Sequence, residues 1–185
     1  MKTFITISCF VLSWRIGCSQ SHSITDSLKR ELRLANNEDT IRMNTLIRLA
    51  NLYRTFNSDS AVHYAEKAFA LATKINSQKG QINALGFQSF ALANIGDLPK
   101  SLESALMSLQ IATNNHLEKE ASAAVTSIGN IYLQLEDYPK ALFYYRLQKA
   151  IGGPGGVYAK THIASVYLKM NNLDSASYYL NQSLN

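Results

Sequence analysis

The sequence predicts an all-α fold, an array of about four helix-turn-helix hairpins behind a capping helix. Two series of small residues and the polar turns between them carry this prediction. Ala50, Ser89, Gly129 and Ala164 recur at intervals of 39, 40 and 35 residues; Ala61, Ser101, Ala141 and Ala176 recur at 40, 40 and 35, in step with the first series. Such self-similarity is the signature of a repeat array. Between the series lie Asn57-Ser58-Asp59, Gly96-Asp97, Glu136-Asp137 and Asn171-Asn172, residues suited to ending one helix and accepting the free N–H groups of the next. With 46% hydrophobic residues, 17% charged and 3 prolines in 185, the composition is globular and permits long helices.

At the N-terminus, Lys2 precedes the apolar run Phe4 to Trp14. This is the layout of a secretory signal, expected over residues 1–19. The run is too short for a bilayer, which needs about 20 apolar residues. Ile16-Gly17-Cys18-Ser19 resembles the lipobox of bacterial lipoproteins, which implies lipidation of Cys18; Arg15 stands where such motifs carry Leu, and ordinary cleavage is the alternative. The chain is therefore expected to be exported, periplasmic or membrane-attached as a lipoprotein, touching a membrane only through a lipid on Cys18. Cys9 is the other cysteine, so neither an internal disulfide nor a Cys-based metal site is expected.

Residues 24–38 read as the capping helix, with Asp26 near its start and Leu28, Leu32 and Leu34 as its apolar side; an end unit of a solenoid needs such a cover. The hairpins follow at about 41–75, 82–113, 122–150 and 157–185. In each first helix an apolar residue, a small one next to it and a Tyr or Leu three further on share a face, as in Leu49-Ala50-Tyr53, Ile128-Gly129-Tyr132 and Ile163-Ala164-Tyr167. Gly129 costs its helix roughly 1 kcal/mol against Ala, so close contact with a second helix is expected there. Ile151 to Gly156 is glycine-rich and reads as a turn between repeats; it lacks the strand and the Lys-Ser/Thr of a phosphate loop.

Val125, Ile128, Gly129, Tyr132, Asp137-Tyr138, Lys140-Ala141-Leu142 and Tyr145, with Gly96 to Lys100 and Tyr64 to Ala68, resemble the tetratricopeptide repeat (TPR) family over about residues 41 to 185. Gln88-Ser89, Gln148 and Lys160 depart from its pattern. The resemblance implies a right-handed superhelical array. The family's 34-residue unit is stretched here, with the extra residues expected between hairpins, in Lys74 to Gly80 and Thr113 to Lys119. This spacing is similar to exported Bacteroidetes-type TPR regions found ahead of histidine kinases or helix-turn-helix regulators.

In such an array the first helices line a concave groove. Beside the packing stripe they offer Asn44, Arg48 and Asn51; Asn83, Phe87, Phe90 and Asn94; Ser127, Asn130 and Gln134; and His162, Ser165 and Lys169. Amides grip a peptide backbone and Phe87 with Phe90 supplies an apolar anchor, so the expected partner is a protein or peptide segment. The carboxylate clamp of some family members is not expected: Asn51 and Asn130 match its Asn, but Ile47 and Thr126 stand where its Lys belongs.

No chemistry is predicted. His22, His63, His116 and His162 have no metal-ligand spacing, no nucleophile-base-acid set stands out, and no catalytic residue, metal or cofactor is expected. The net charge of +5 falls to 16 bases against 13 acids without Lys2 and Arg15, and the bases alternate with acids in Lys29 to Arg33 and Glu118 to Glu120, which argues against nucleic acid. The leading expectation is a protein-binding scaffold in the bacterial cell envelope. The alternative is a truncated or split sensory region of a two-component or transcriptional receptor, with self-association through a last helix that exposes Tyr178, Tyr179 and Leu180. A glycan-binding lipoprotein ranks below both.

Overall fold

A computed structural model describes residues 24–35, 39–151 and 153–183. The expected signal segment, Cys18 and His22 lie outside the described residues. Among those described, every element is helical: α1 (residues 24–34), α2 (Asp39–Tyr53), α3 (Ser58–Lys74), α4 (Gln78–Asn94), α5 (Leu98–Asn114), α6 (Glu118–Gln134), α7 (Tyr138–Ile151), α8 (Gly153–Lys169) and α9 (Leu173–Ser183).

Five of the turns are cut by one repeated device. Asn76, Gly96, His116, Glu136 and Asn171 each take a positive φ between 53° and 85°. The next residue then returns its N–H to a carbonyl five positions back, as in Ser77 to Ala72, Asp97 to Leu92 and Asp137 to Tyr132, which closes the helix as a Schellman motif. In four of the five that same residue also caps the following helix with its side chain, Leu117 after His116 being the exception. The side chains of Ser77, Asp97, Asp137 and Asn172 accept from the N–H three residues on, at 3.0 to 3.3 Å. Three residues thus end one helix and start another. The extra length expected between hairpins is taken up by the helices instead: α3, α4, α5 and α6 each run 17 residues, and two such helices with two three-residue turns fill the 40-residue period. The reason is that Ser77 caps and Gln78 to Gly80 already forms the first turn of α4.

A second correction concerns Ile151 to Gly156, of which Gly152 lies outside the described residues. Helix α8 begins at Gly153, so most of the segment expected as a turn is the start of a helix. Proline is tolerated in a first helical turn, and each Gly costs only about 1 kcal/mol, less than the packing of α8 against its neighbours returns.

In the first two hairpins the second helices bury small side chains, whereas α7 of the third buries Tyr145 and Gln148. Helix α3 buries Ala61, Ala65, Ala68 and Ala72, and α5 buries Ser101, Ser104, Ala105, Ser108 and Ala112, both at the spacing of one helical face. Against these stripes lie Leu46, Leu49, Ile82, Leu85 and Ile128 of the first helices, while Ile163 of α8 packs with Ala141 and Tyr145 of α7. Each helix packs on the next, and α2, α4, α6 and α8 also touch in succession. The first helices therefore form the inner wall of a superhelical array and the second helices its outer wall. At the front, Leu28 of α1 is buried with Leu49, Tyr53 and Ala61, and Leu32 packs beside them. Leu34, expected on the same apolar side, is 69% exposed in the last turn of α1.

The departures from the repeat pattern are met by hydrogen bonds. Ser89 is buried and its hydroxyl lies 3.2 Å from that of Ser101, which also donates to the Ser89 carbonyl; the two small-residue series meet here. Gln148 is buried with its carbonyl oxygen 3.0 Å from Nδ1 of His162. Lys160 donates through Nζ to the Gln182 carbonyl, tying α8 to the end of α9.

Candidate functional site

The inner wall between α4 and α6 holds two adjoining hollows. The first, of about 300 Å³, is lined by Asn83, Gly86, Phe87 and Phe90 of α4, by Glu120, Ala123 and Ser127 of α6, and by Arg54 from the turn after α2. The second, of about 220 Å³, is lined by Phe90, Ala93 and Asn94 of α4 and by Ser127, Asn130, Leu133 and Gln134 of α6. Phe90, Ser89 and Ser127 border both, so the two form one trough along the helices.

Helical periodicity explains the lining. Asn83, Phe87, Phe90 and Asn94 follow one another at three- or four-residue steps on α4, as do Glu120, Ala123, Ser127, Asn130 and Gln134 on α6; residues so spaced share a face. The residues expected from the sequence cover the C-terminal part of the α6 stripe, from Ser127 onward. Extending the same step by two turns reaches Glu120. Arg54 had no such signal, since it lies past the last helical residue of α2.

Arg54 brings a positive charge to a trough that Glu120 also lines. Its guanidinium lies 5.0 Å from the ring centroid of Phe90 and 5.9 Å from that of Phe87, an attraction between a cation and aromatic faces. Asn94 holds the turn in place by donating its amide to the Arg54 carbonyl at 3.0 Å. Phe90 remains 42% exposed. At the far end the amide oxygen of Asn130, which lines the trough, accepts the Tyr145 hydroxyl at 2.6 Å. Burial pushes the Tyr145 hydroxyl up to about 12, so it stays protonated and keeps donating.

The remaining predicted residues are placed elsewhere. Arg48 bonds the Glu31 carboxylate at 3.1 Å, and Thr45 donates to the same group at 2.9 Å; the capping helix thereby engages Arg48. Asn44 and Asn51 are exposed on α2 without lining the trough. His162 is half-buried, stacked on Tyr145 with centroids 5.0 Å apart, and joined to Gln148, and burial lowers its pKa from the ordinary 6.5. Ser165 donates back to the His162 carbonyl at 2.7 Å. Lys169 is exposed in the last turn of α8. The structure thus brings together seven of the predicted residues, all on α4 and α6, and sets Arg48 and His162 to holding helices together.

The model of the family described as the SusR N-terminal TPR domain matches residues 19–138. The chain belongs to this family. None of the curated proteins matches the sequence. Among solved structures, this SusR-type TPR chain is similar to a Rap protein complexed with competence and sporulation factor, with TM-score 0.78, 18% identity and coverage of 93% of this chain and 50% of the Rap protein. It is also similar to the Rap conjugation gene regulator of plasmid pLS20 in complex with the Phr* peptide, with TM-score 0.76, 15% identity and coverage of 93% and 50%. A third likeness is to BtubC from P. vanneervenii, with TM-score 0.69, 14% identity and coverage of 92% and 72%. The SusR-type TPR chain spans half the length of the two Rap proteins. These likenesses show the fold, a TPR-type helical repeat scaffold. Among the described residues, no group of His, Cys, Asp and Glu is placed to hold a metal ion, and no helix is long and apolar enough to cross a membrane.

Proposed function

We propose that this scaffold binds an extended peptide or protein segment along the trough between α4 and α6. The observation that carries the reading is the convergence of an exposed apolar anchor, Phe90 with Phe87, and backbone-gripping amides, Asn83, Asn130 and Gln134, on one concave wall. An apolar side chain of the segment rests on the phenyl rings, and the amides bond its main chain, which gives affinity without fixing a sequence. That two Rap proteins of the same fold are complexed with a factor and with a peptide supports this use of the fold.

The scaffold acts in the cell envelope, exported by residues 1–19 and held there by a lipid on Cys18; the positive residue and apolar run at the N-terminus support this. A second reading, that the array is the sensory part of a signalling receptor, is favoured by the description of its family as an N-terminal domain. Self-association would then use α9, where Tyr178 is 58% exposed and Leu180 39%. Tyr179 does not take part, since its ring is stacked on Tyr167.

The test is selection from a random peptide library on the immobilised chain, followed by titration of the selected peptides against Phe90→Ala and Asn83→Ala. Binding weakened at least about tenfold by Phe90→Ala, the loss expected for an interface anchor, supports the trough. Peptides that bind both variants as well as the unaltered chain would place the site elsewhere and defeat the reading. Radiolabelled palmitate that enters the chain but not Cys18→Ser tests the anchor, and a chain left in the cytoplasmic fraction overturns the envelope assignment.

A further inference from the structure

Three of the four hairpins are closed by a pair of stacked tyrosines. Tyr53 of α2 stacks on Tyr64 of α3 at 5.4 Å and 15°, Tyr132 of α6 on Tyr144 of α7 at 5.5 Å and 11°, and Tyr167 of α8 on Tyr179 of α9 at 5.6 Å and 13°. In the same register the second hairpin carries Leu92 on α4 and Ser104 on α5. Gln88 likewise stands where the other three hairpins bury Leu49, Ile128 and Ile163. Both rings are missing, and a cleft of about 430 Å³ opens on the outer wall, lined by Leu92, Ser104, Gln88, Phe69, Leu85 and Met107.

The rest of the ring's setting is retained. In the third hairpin Asp137 holds Lys140 at 2.8 Å, and Lys140 lies 5.0 Å over the face of Tyr132. The second hairpin repeats the ion pair, Asp97 with Lys100 at 3.0 Å, and Lys100 borders the cleft, but the residue in the place of Tyr132 is Leu92. A cation thus borders a cleft in which its own chain fills one ring position with the buried Leu92 and leaves the other, at Ser104, without a ring. Glu66 and Glu103 stand at the rim, and the Ser104 hydroxyl and the Gln88 amide meet at 3.3 Å on its wall.

We propose that this outer cleft is a docking site for a Tyr or Trp side chain, flanked by Lys or Arg, on a partner protein. The ring rests in the cleft against Leu92 and above Ser104, where the other hairpins place their second tyrosine, with the Lys100 ammonium beside it. Its hydroxyl or indole N–H bonds to the Ser104 and Gln88 oxygens, and the flanking base is complementary to Glu66 and Glu103. The site lies on the wall opposite the trough and does not rest on the reading proposed for it.

The test is titration of the chain with N-acetyl-Lys-Trp-Lys-amide and N-acetyl-Lys-Ala-Lys-amide, followed by ¹H–¹⁵N spectra. The Trp peptide alone should give saturable shifts centred on Leu92, Lys100 and Ser104. Leu92→Tyr/Ser104→Tyr restores the tyrosine pair and should abolish them, and Lys100→Ala should weaken binding about two- to fivefold, as expected for a lost cation–π contact. Should the double variant not fold, the two peptides on the unaltered chain still decide the matter. Equal shifts from both peptides, shifts centred on Phe87 and Phe90, or shifts that survive in a folded double variant overturn the proposal. So does a dimer of the unaltered chain that the double variant disperses, because the cleft then belongs to a second copy.

Discussion

The ring of Tyr145 occupies the space that a side chain on Gly129 would need. A Cβ built at position 129 would lie 2.6 Å from Cε1 and 2.8 Å from Cδ1 of that ring, which is fully buried and tied by its hydroxyl to Asn130 one residue on. The glycine thus seats an aromatic ring of the second helix, where the sequence argument expected only a close approach of helices. Gly129→Ala should gain roughly 1 kcal/mol of helix propensity and lose more to overpacking, for a net loss of about 1 to 2 kcal/mol. Denaturant midpoints measure it, and a stabilised Gly129→Ala chain would show that the ring moves freely. Gly129→Leu should cost more.

Gly86 gives the opposite expectation. A Cβ there would meet nothing within 4 Å, so Gly86→Ala should stabilise α4 by about 0.5 to 1 kcal/mol. Because Gly86 lines the trough, Gly86→Phe should keep the fold and weaken any peptide selected on the unaltered chain. Thermal midpoints and titrations of the same samples separate the two effects.

Glu136 holds φ at 58° in the turn where the preceding hairpin has Gly96 at 85°. A residue with a Cβ is strained in that region, whereas glycine adopts it freely. Glu136→Gly should therefore raise stability by about 0.5 to 1 kcal/mol, despite the added freedom of the unfolded chain. A lower urea midpoint would contradict this.

His162 makes stability depend on pH. Burial lowers its pKa from the ordinary 6.5, so the fold favours the neutral ring. The contribution is complete above the unfolded value and is lost as pH falls below 6.5 towards the depressed folded value. From about pH 7.5 to about pH 5 the chain should lose stability more steeply than His162→Gln, while the carboxylates common to both chains contribute equally. Parallel slopes of urea midpoint against pH would show that His162 does not titrate in the fold.

Much of this could be read from residue order. Caps such as Asn57, Asp97, Asp137 and Asn172 act within three residues, and the small-residue registers repeat at 35 to 40, so local chemistry and periodicity located the hairpins. They also located the α4 and α6 stripes, because a shared helical face follows from spacing alone. Spacing did not foretell the helical start at Gly153, where packing outweighs the low propensity of glycine, nor the place of Arg54 over Phe90.

The sequence by itself determined the helical repeat, the capped turns at Asp97, Asp137 and Asn172 and the pairing of neighbours, but not the start of α8 at Gly153. The tertiary structure alone decided which polar residues of the inner wall stay open. Arg48 looks like Asn83 in sequence, yet it meets Glu31 from a helix 17 residues upstream; His162 looks like Ser127, yet it stacks on Tyr145 and meets Gln148. A side chain is open or engaged according to what a separate helix presents to it, and that depends on how the hairpins are wound together.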